Sequence, residues 1–324
     1  MKREDILTSF LIPIDGSECS KKSLCFSGTL LASIGSRCRA ITLLNVLAGG
    51  YLSEHLSNID IRAEHLIDSE QFKKIKEEHA RKQIMPILDD AAQKLLDMGV
   101  KTDIEKLVLD GDPADQIAKI AIERNFSTII IGRRGLSPFK ELFFGSVTDS
   151  LLHRDLETSI YVIGNNQAHI PPCPPRRVLV AIDGSAPSMA ALEEAAVLSH
   201  TLKDYVEKFI MLHVINLARY AEHIESGMKP EAEANGILTE AEEKIVDLGV
   251  DPKIVETVIR YGRPVETICE EITKREIDLL FVGRSGRSRI EEWVLGSVSR
   301  GVLHRCHGPI IAVIGRDPDK VKEK

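Results

Sequence analysis

Short apolar runs, each closed by glycine or a turn residue, alternate along the chain with longer stretches whose apolar residues recur at helical spacing. Residues 10–14, 40–46, 103–109, 128–131 and 159–163 are rich in Ile, Leu and Val and read as buried strands. Between the first two, Asp15-Gly16-Ser17 turns into a helix expected near 18–34, with Ser17 or Ser20 available as its cap. Ile84, Ile87, Leu88, Ala91, Leu95 and Leu96 share one face of a further helix that Gly99 stops. Gly111-Asp112-Pro113 opens another, with proline in its first turn and Ile117, Ile120 and Ala121 on its buried side. Residues 147–152 supply one more, and the charged segment 70–82 reads as a solvated helical face.

The pattern then repeats. Val178-Leu179-Val180-Ala181-Ile182-Asp183-Gly184-Ser185 matches the run ending at Asp15-Gly16-Ser17, with a constant offset of 168 (15 to 183). Met211-Leu212-His213-Val214 matches Leu43-Leu44-Asn45-Val46 at the same offset. Gly262-Arg263-Pro264 matches Gly111-Asp112-Pro113 at an offset of 151 (111 to 262), so the first half carries about 17 extra residues (168 less 151) between its second and third strands. A repeat this long means duplicated domains rather than a solenoid. The boundaries expected are 1–164 and 176–324, joined by a proline-rich linker at 165–175 that resists helix and sheet. Strands alternating with helices imply an α/β fold with a parallel sheet covered on both faces. Such sheets bind ligands beyond their strand C-termini, where the strand order reverses. Asp15 and Asp183 end one strand of each half, and Gly132 and Gly283 another, so a ligand touching both would lie at that reversal.

The strongest chemical signal follows the fourth strand of each half. Gly132 and Gly135, then nine residues, then Gly145-Ser146 recur as Gly283, Gly286, Gly296 and Ser297, all at the offset of 151 (132 to 283). Glycine lets backbone turn and approach a ligand without a Cβ. Gly145, Ser146 and Val147, like Gly296, Ser297 and Val298, are expected to present free amides at a helix start, where the dipole favours an anion. Arg133, Arg134 and Arg284 are expected either to reach phosphates or to stand in solvent. His153 and His304 repeat in register near helix ends, where they would meet C-terminal carbonyls rather than do catalysis.

Composition narrows the classes. The 324 residues are 43% hydrophobic and 28% charged, enough for two globular cores. A formal net charge of −7 argues against a general nucleic-acid binder. The six cysteines contain no C-x-x-C and are expected to be reduced thiols of a cytosolic protein, with no zinc-ligand cluster. Neither a signal-peptide core nor an apolar run near the ~20 residues of a membrane span is present, so a soluble, cytoplasmic protein is expected.

Together, Ile-Asp-Gly-Ser after the first strand, Leu-Leu-x-Val ending the second, the Gly-x-Pro turn and Gly-x2-Gly-x9-Gly-Ser resemble the universal stress protein family in its tandem form. The likeness covers roughly 8–164 and 176–315. It implies two Rossmann-like domains, each a five-stranded parallel sheet of order 3-2-1-4-5. The full glycine motif resembles the ATP-binding branch, so ATP is the implied ligand, with any Mg2+ bound through the phosphates. Carried over position by position, Pro13, Ile14 and Asp15 would line the nucleoside pocket and Val46 would offer backbone groups to adenine. Ile131, Gly132 and Gly135 would flank ribose and phosphate, and Gly145, Ser146 and Val147 would hold the phosphates. The second set is Ala181, Ile182, Asp183, Val214, Val282, Gly283, Gly286, Gly296, Ser297 and Val298. Asn45 and Ala181 depart from commoner family choices, and Pro138-Phe139 and Phe143-Phe144 would bulk up the first pocket.

No G-x-x-x-x-G-K-[ST], G-x-S-x-G or kinase signature is present. The leading expectation is therefore a non-catalytic ATP-binding sensor whose occupancy is seen by a protein partner not named by the sequence. A nucleotide-free scaffold, or a weak ATPase or autokinase, are the alternatives. The halves are expected to pair about a pseudo-two-fold axis through strands at 159–163 and 309–314, with homodimerisation as a further step.

Overall fold

A computed structural model describes residues 3–47, 77–78, 80–133, 145–164, 174–217, 220, 229–285 and 295–316. The first half runs β1 (Ser9–Pro13), α1 (Glu18–Ile34), β2 (Ala40–Leu47), α2 (Met85–Asp97), β3 (Ile104–Asp110), α3 (Pro113–Glu123), β4 (Thr128–Gly132), α4 (Ser146–Leu152) and β5 (Ser159–Ile163). The second runs β6 (Arg177–Ala181), α5 (Ala186–Thr201), β7 (Lys208–Asn216), α6 (Pro230–Asp247), β8 (Val255–Gly262), α7 (Pro264–Arg275), β9 (Leu279–Gly283), α8 (Ser297–Arg305) and β10 (Ile310–Ile314).

The ten strands form one sheet of order β3-β2-β1-β4-β5-β10-β9-β6-β7-β8. Each half is thus Rossmann-like with order 3-2-1-4-5, and its strands are parallel throughout. The halves join where β5 and β10 pair antiparallel, with Ala312 opposite Tyr161. Central strands alternate their side chains between two apolar layers, as a sheet covered on both faces requires. Phe10, Ile12, Tyr161, Val180, Phe281 and Ala312 face α1, α2, α5 and α6 in one layer that runs continuously across both halves. Leu11, Ile129, Ile160, Leu280 and Val313 face α3, α4, α7 and α8 in the other.

Helix starts follow their local chemistry. Ser17 caps α1 by accepting from Ser20 N at 3.2 Å, and Ser185 caps α5 by accepting from Ser188 N at 3.3 Å. Asp112 does the same for α3, accepting from Asp115 N at 2.9 Å ahead of Pro113.

The expectation of reduced thiols fails for one pair. Cys269 of α7 and Cys306, which follows α8, form a disulfide with Cα atoms 6.0 Å apart, although 37 positions separate them in sequence. Side-by-side packing of α7 on α8 brings these sulfurs together, and no spacing in the chain announces it. Cys19, Cys25 and Cys38 are not disulfide-bonded.

Candidate functional site

In each half, β1 or β6 feeds a helix on one face of the sheet while β4 or β9 leads to a helix on the other. The crevice between these diverging strand ends is the site. It is built twice. At the end of β1, Gly16 takes φ +80°, a conformation suited to glycine, and turns the chain into α1; Gly184 does the same at +80° before α5. Asp15 Oδ1 accepts from Ser17 N at 2.9 Å, and Asp183 Oδ1 accepts from Ser185 N at 3.0 Å and Ser185 Oγ at 2.5 Å. These carboxylates therefore do serve their turns, but with one oxygen. Among the described residues no hydrogen bond reaches the second oxygen, Oδ2, of either aspartate.

The neighbouring strand leaves backbone open beside them. Ile14 N donates to the Leu44 carbonyl at 2.8 Å, the last rung between β1 and β2. Two residues on, Val46 directs its N–H and C=O the same way, past the end of β1. Val214 repeats this beyond the Ile182 N to Leu212 carbonyl bond of 2.9 Å. Side chains brace the same spot: Asn45 Nδ2 donates to the Ile14 carbonyl at 2.7 Å. His213 Nδ1 lies 2.9 Å from the Ile182 carbonyl, which can only accept, so the proton sits on Nδ1. Pro13 and Ala181 are half-buried at the strand ends, and Ile14 and Ile182 are buried.

On the other side of the crevice, Ile131-Gly132 and Val282-Gly283 end β4 and β9 and are buried. Gly132 and Gly283 are demanded by close packing. A Cβ on Gly132 would stand 2.7 Å from Cys19 Cβ, and one on Gly283 would stand 2.7 Å from the Pro187 carbonyl carbon. The first turn of α1 or α5 therefore rests directly on the strand. Thr148 Oγ1 donates to the Gly132 carbonyl at 2.9 Å and Ser299 Oγ to the Gly283 carbonyl at 2.6 Å, tying α4 and α8 to the same strand ends.

Both helices begin at a glycine with no side-chain cap. The expected free amides need one correction. Gly145 N donates to the Arg133 carbonyl at 2.9 Å and Gly296 N to the Arg284 carbonyl at 2.8 Å. The first intrahelical donors are Asp149 N and Arg300 N, so the amides of Ser146 and Val147, and of Ser297 and Val298, have no helical carbonyl ahead of them. Ser146 and Ser297 are exposed, and Val147 and Val298 half-buried. Gly135, Gly286, Arg134, Pro138-Phe139, Phe143-Phe144 and most of the linker lie outside the described residues.

The two arginines go elsewhere than expected. Arg133 and Arg284 are 4% and 9% exposed, and neither stands in solvent nor points at a helix start. Arg133 Nη1 donates to the Cys306 carbonyl at 2.9 Å and Nη2 to that of Leu303 at 2.5 Å. Arg284 Nη2 donates to the Leu152 carbonyl at 2.8 Å and Nη1 to that of Leu156 at 3.4 Å. Each thus caps the C-terminus of the helix belonging to the other half. Burial pulls the Arg284 guanidinium down to about 10, against the pull of Asp155, so it stays charged at neutral pH. His153 meets a helical carbonyl as expected, with Nδ1 2.8 Å from that of Asp149.

The Universal stress protein family pattern matches residues 8–154 and 175–313, most of the chain and both halves. The chain belongs to the universal stress protein family. Universal stress protein YxiE of Bacillus subtilis is 31% identical over 150 residues, covering 42% of this chain and 97% of that one. Universal stress protein Slr1230 of Synechocystis is 24% identical over 313 residues, covering 94% of this chain and 99% of its own. The crystal structure of a universal stress protein from Archaeoglobus fulgidus superposes with a TM-score of 0.64 at 25% identity, covering 95% of this chain and 98% of that one. These last two proteins thus match it over nearly their whole length.

Sequence reasoning missed several members of the crevice. Thr148 and Ser299 hold the strand ends, and Asn45 and His213 hold the turns, through their side chains. The available signal was register: a hydroxyl recurs at the offset of 151 (148 to 299) and a side-chain N–H donor at 168 (45 to 213). A separate cavity of about 390 Å³, lined by Glu4, Arg37, Val197, His200 and Leu248, lies at the opposite, N-terminal end of the strands. Among the described residues no helix is long and apolar enough to cross a membrane, and no cluster of three or more His, Cys, Asp or Glu is placed to hold a metal ion.

Proposed function

We propose that this universal stress protein binds ATP in both crevices, within domains 1–164 and 176–324, and that occupancy rather than turnover is its output. One observation carries the reading: each glycine-started helix, α4 or α8, offers outward amides across the crevice from a strand-end aspartate whose Oδ2 is uncommitted. Anionic phosphate suits the first, and the hydroxyl or amine donors of a nucleoside suit the second. Asp15 and Asp183 would accept from ribose or adenine, and the open backbone of Val46 and Val214 would meet the adenine edge. Pro13, Ile14, Ala181 and Ile182 would wall the nucleoside, and Ile131-Gly132 and Val282-Gly283 would floor the ribose. Ser146-Val147 and Ser297-Val298 would hold phosphates, with Gly145 and Gly296 shaping the helix start rather than donating. Charge-assisted amide bonds of about 1.5–3 kcal/mol each are enough to hold a triphosphate against solvation. Any Mg2+ would ride on the phosphates.

Calorimetry on nucleotide-stripped protein tests this. ATP should bind in the micromolar range and Gly296→Val should weaken it, while phosphate release should not exceed that of a Ser297→Ala control. Absence of ATP binding by the stripped protein would reduce the chain to a scaffold.

A further inference from the structure

Arg284 belongs to two places at once. Its backbone sits in its own crevice, where N donates to the Ile314 carbonyl at 3.0 Å and the carbonyl accepts from Gly296 N, the start of α8, at 2.8 Å. Its guanidinium reaches into the first half, where it holds the carbonyl of Leu152, the last residue of α4, and reaches that of Leu156 in the segment beyond the helix. Arg133 mirrors it: backbone on Ile163 and Gly145, side chain on Leu303 and Cys306 at the end of α8. The last carbonyls of a helix lack intrahelical partners and carry its negative end, so a guanidinium fork satisfies both needs. Each short helix is therefore gripped at its C-terminus by the residue that anchors the opposite helix at its N-terminus.

We propose that Arg133 and Arg284 are positioning residues that couple the two crevices, so that filling one orders the crevice-facing helix of the other. This rests on the nucleotide-binding reading above. The physical basis is length. The seven residues of α4 make two turns, roughly 10 Å at 1.5 Å per residue, and so short a helix depends on its end contacts for order. An anion at the start of α8 fixes Gly296, which fixes the Arg284 carbonyl and with it the direction of the side chain on α4. Ordering that is complete before the second ligand arrives no longer opposes it, which makes the coupling positive.

The test uses the full chain with Ser146→Asp, which places a carboxylate where phosphate would bind the first crevice. Ser146 is exposed at a helix start, where an acidic residue favours folding. Mg2+ and ATP are added, and amide hydrogen exchange is followed at His153 and Arg154, which bond to Asp149 and Leu151 at the end of α4. Nucleotide in the second crevice should slow exchange there by roughly fivefold or more. Adding Arg284→Met should abolish that response while ATP still binds, and Arg284→Lys should restore part of it. Unchanged exchange in Ser146→Asp protein with ATP bound overturns the coupling, and this holds even if the Arg284→Met chain does not fold. If Ser146→Asp protein binds no ATP, the second crevice is not a nucleotide site and the coupling falls with it.

Discussion

Tyr161 of β5 donates its hydroxyl to Glu194 of α5 at 2.9 Å, a bond that crosses from one half of the protein to the other at the pseudo-two-fold axis. Ser159 Oγ donates to the second oxygen of the same carboxylate at 2.7 Å, and Arg316 Nε stands 3.7 Å away. The repeat does not preserve this cluster. At the corresponding offsets Glu194 becomes Phe26 and Tyr161 becomes Ala312. Phe26 stacks on Tyr161 instead, with ring centroids 6.1 Å apart. Two first halves paired alike would bury a phenol without an acceptor, and two second halves would leave Glu194 without its Tyr161 and Ser159 donors. The cluster therefore favours pairing of unlike halves.

Tyr161→Phe is expected to lower stability by about 1.5–3 kcal/mol, the range for a hydrogen bond to a charged group, with little change in packed volume. Urea unfolding of the purified chain measures it. An unchanged midpoint would mean that water or another donor already serves Glu194.

Burial pushes the Glu194 carboxyl above its ordinary 4.5, while Arg316, Ser159 and Tyr161 pull it back. A carboxyl raised on folding holds its proton more tightly in the folded state. Its contribution thus favours folding below about pH 4.5 and is lost as pH rises through the folded value. Glu194→Gln keeps a neutral side chain at every pH. Measured at pH 4.5 and pH 7, the stability of Glu194→Gln relative to the parent should shift in favour of glutamine as the pH rises. A shift the other way would show that the Arg316 charge outweighs burial.

The disulfide closes a separation of 37 residues and joins α7 to the end of α8 that receives Arg133. Loop-closure entropy for that length amounts to about 4 kcal/mol at 25 °C. Dithiothreitol should lower the unfolding midpoint of the parent and leave Cys269→Ser/Cys306→Ser unaffected. Equal sensitivity of the two proteins would exclude a bonded pair in solution.

Gly283→Ala sets a Cβ against backbone of α5, 2.7 Å from the Pro187 carbonyl carbon and 2.8 Å from Ser188 N, atoms that cannot swing aside as a side-chain tip can. The expected cost is about 1–3 kcal/mol, with displacement of the turn that carries Asp183. Thermal melting and ATP calorimetry should both register it. A full-stability variant would mean that the helix start yields freely.

Much of this protein was written in local pattern. Short apolar runs marked the strands, glycine and proline marked helix ends, and β5 fell on its sequence-expected bounds, Ser159–Ile163. The duplication and the doubled glycine motif were legible because a repeat compares a chain with itself and needs no coordinates. Contacts between the halves were beyond such pattern. Arg133 and Arg284 looked like phosphate ligands or solvated loop residues, and only packing across β5 and β10 set a foreign helix end within their reach. The same holds for Cys269 with Cys306 and for Tyr161 with Glu194. Periodicity reports which face of an element is buried. Which residue it meets there depends on how separately formed elements dock, a matter of shape and unpaired polar groups that is settled only once the chain has closed on itself.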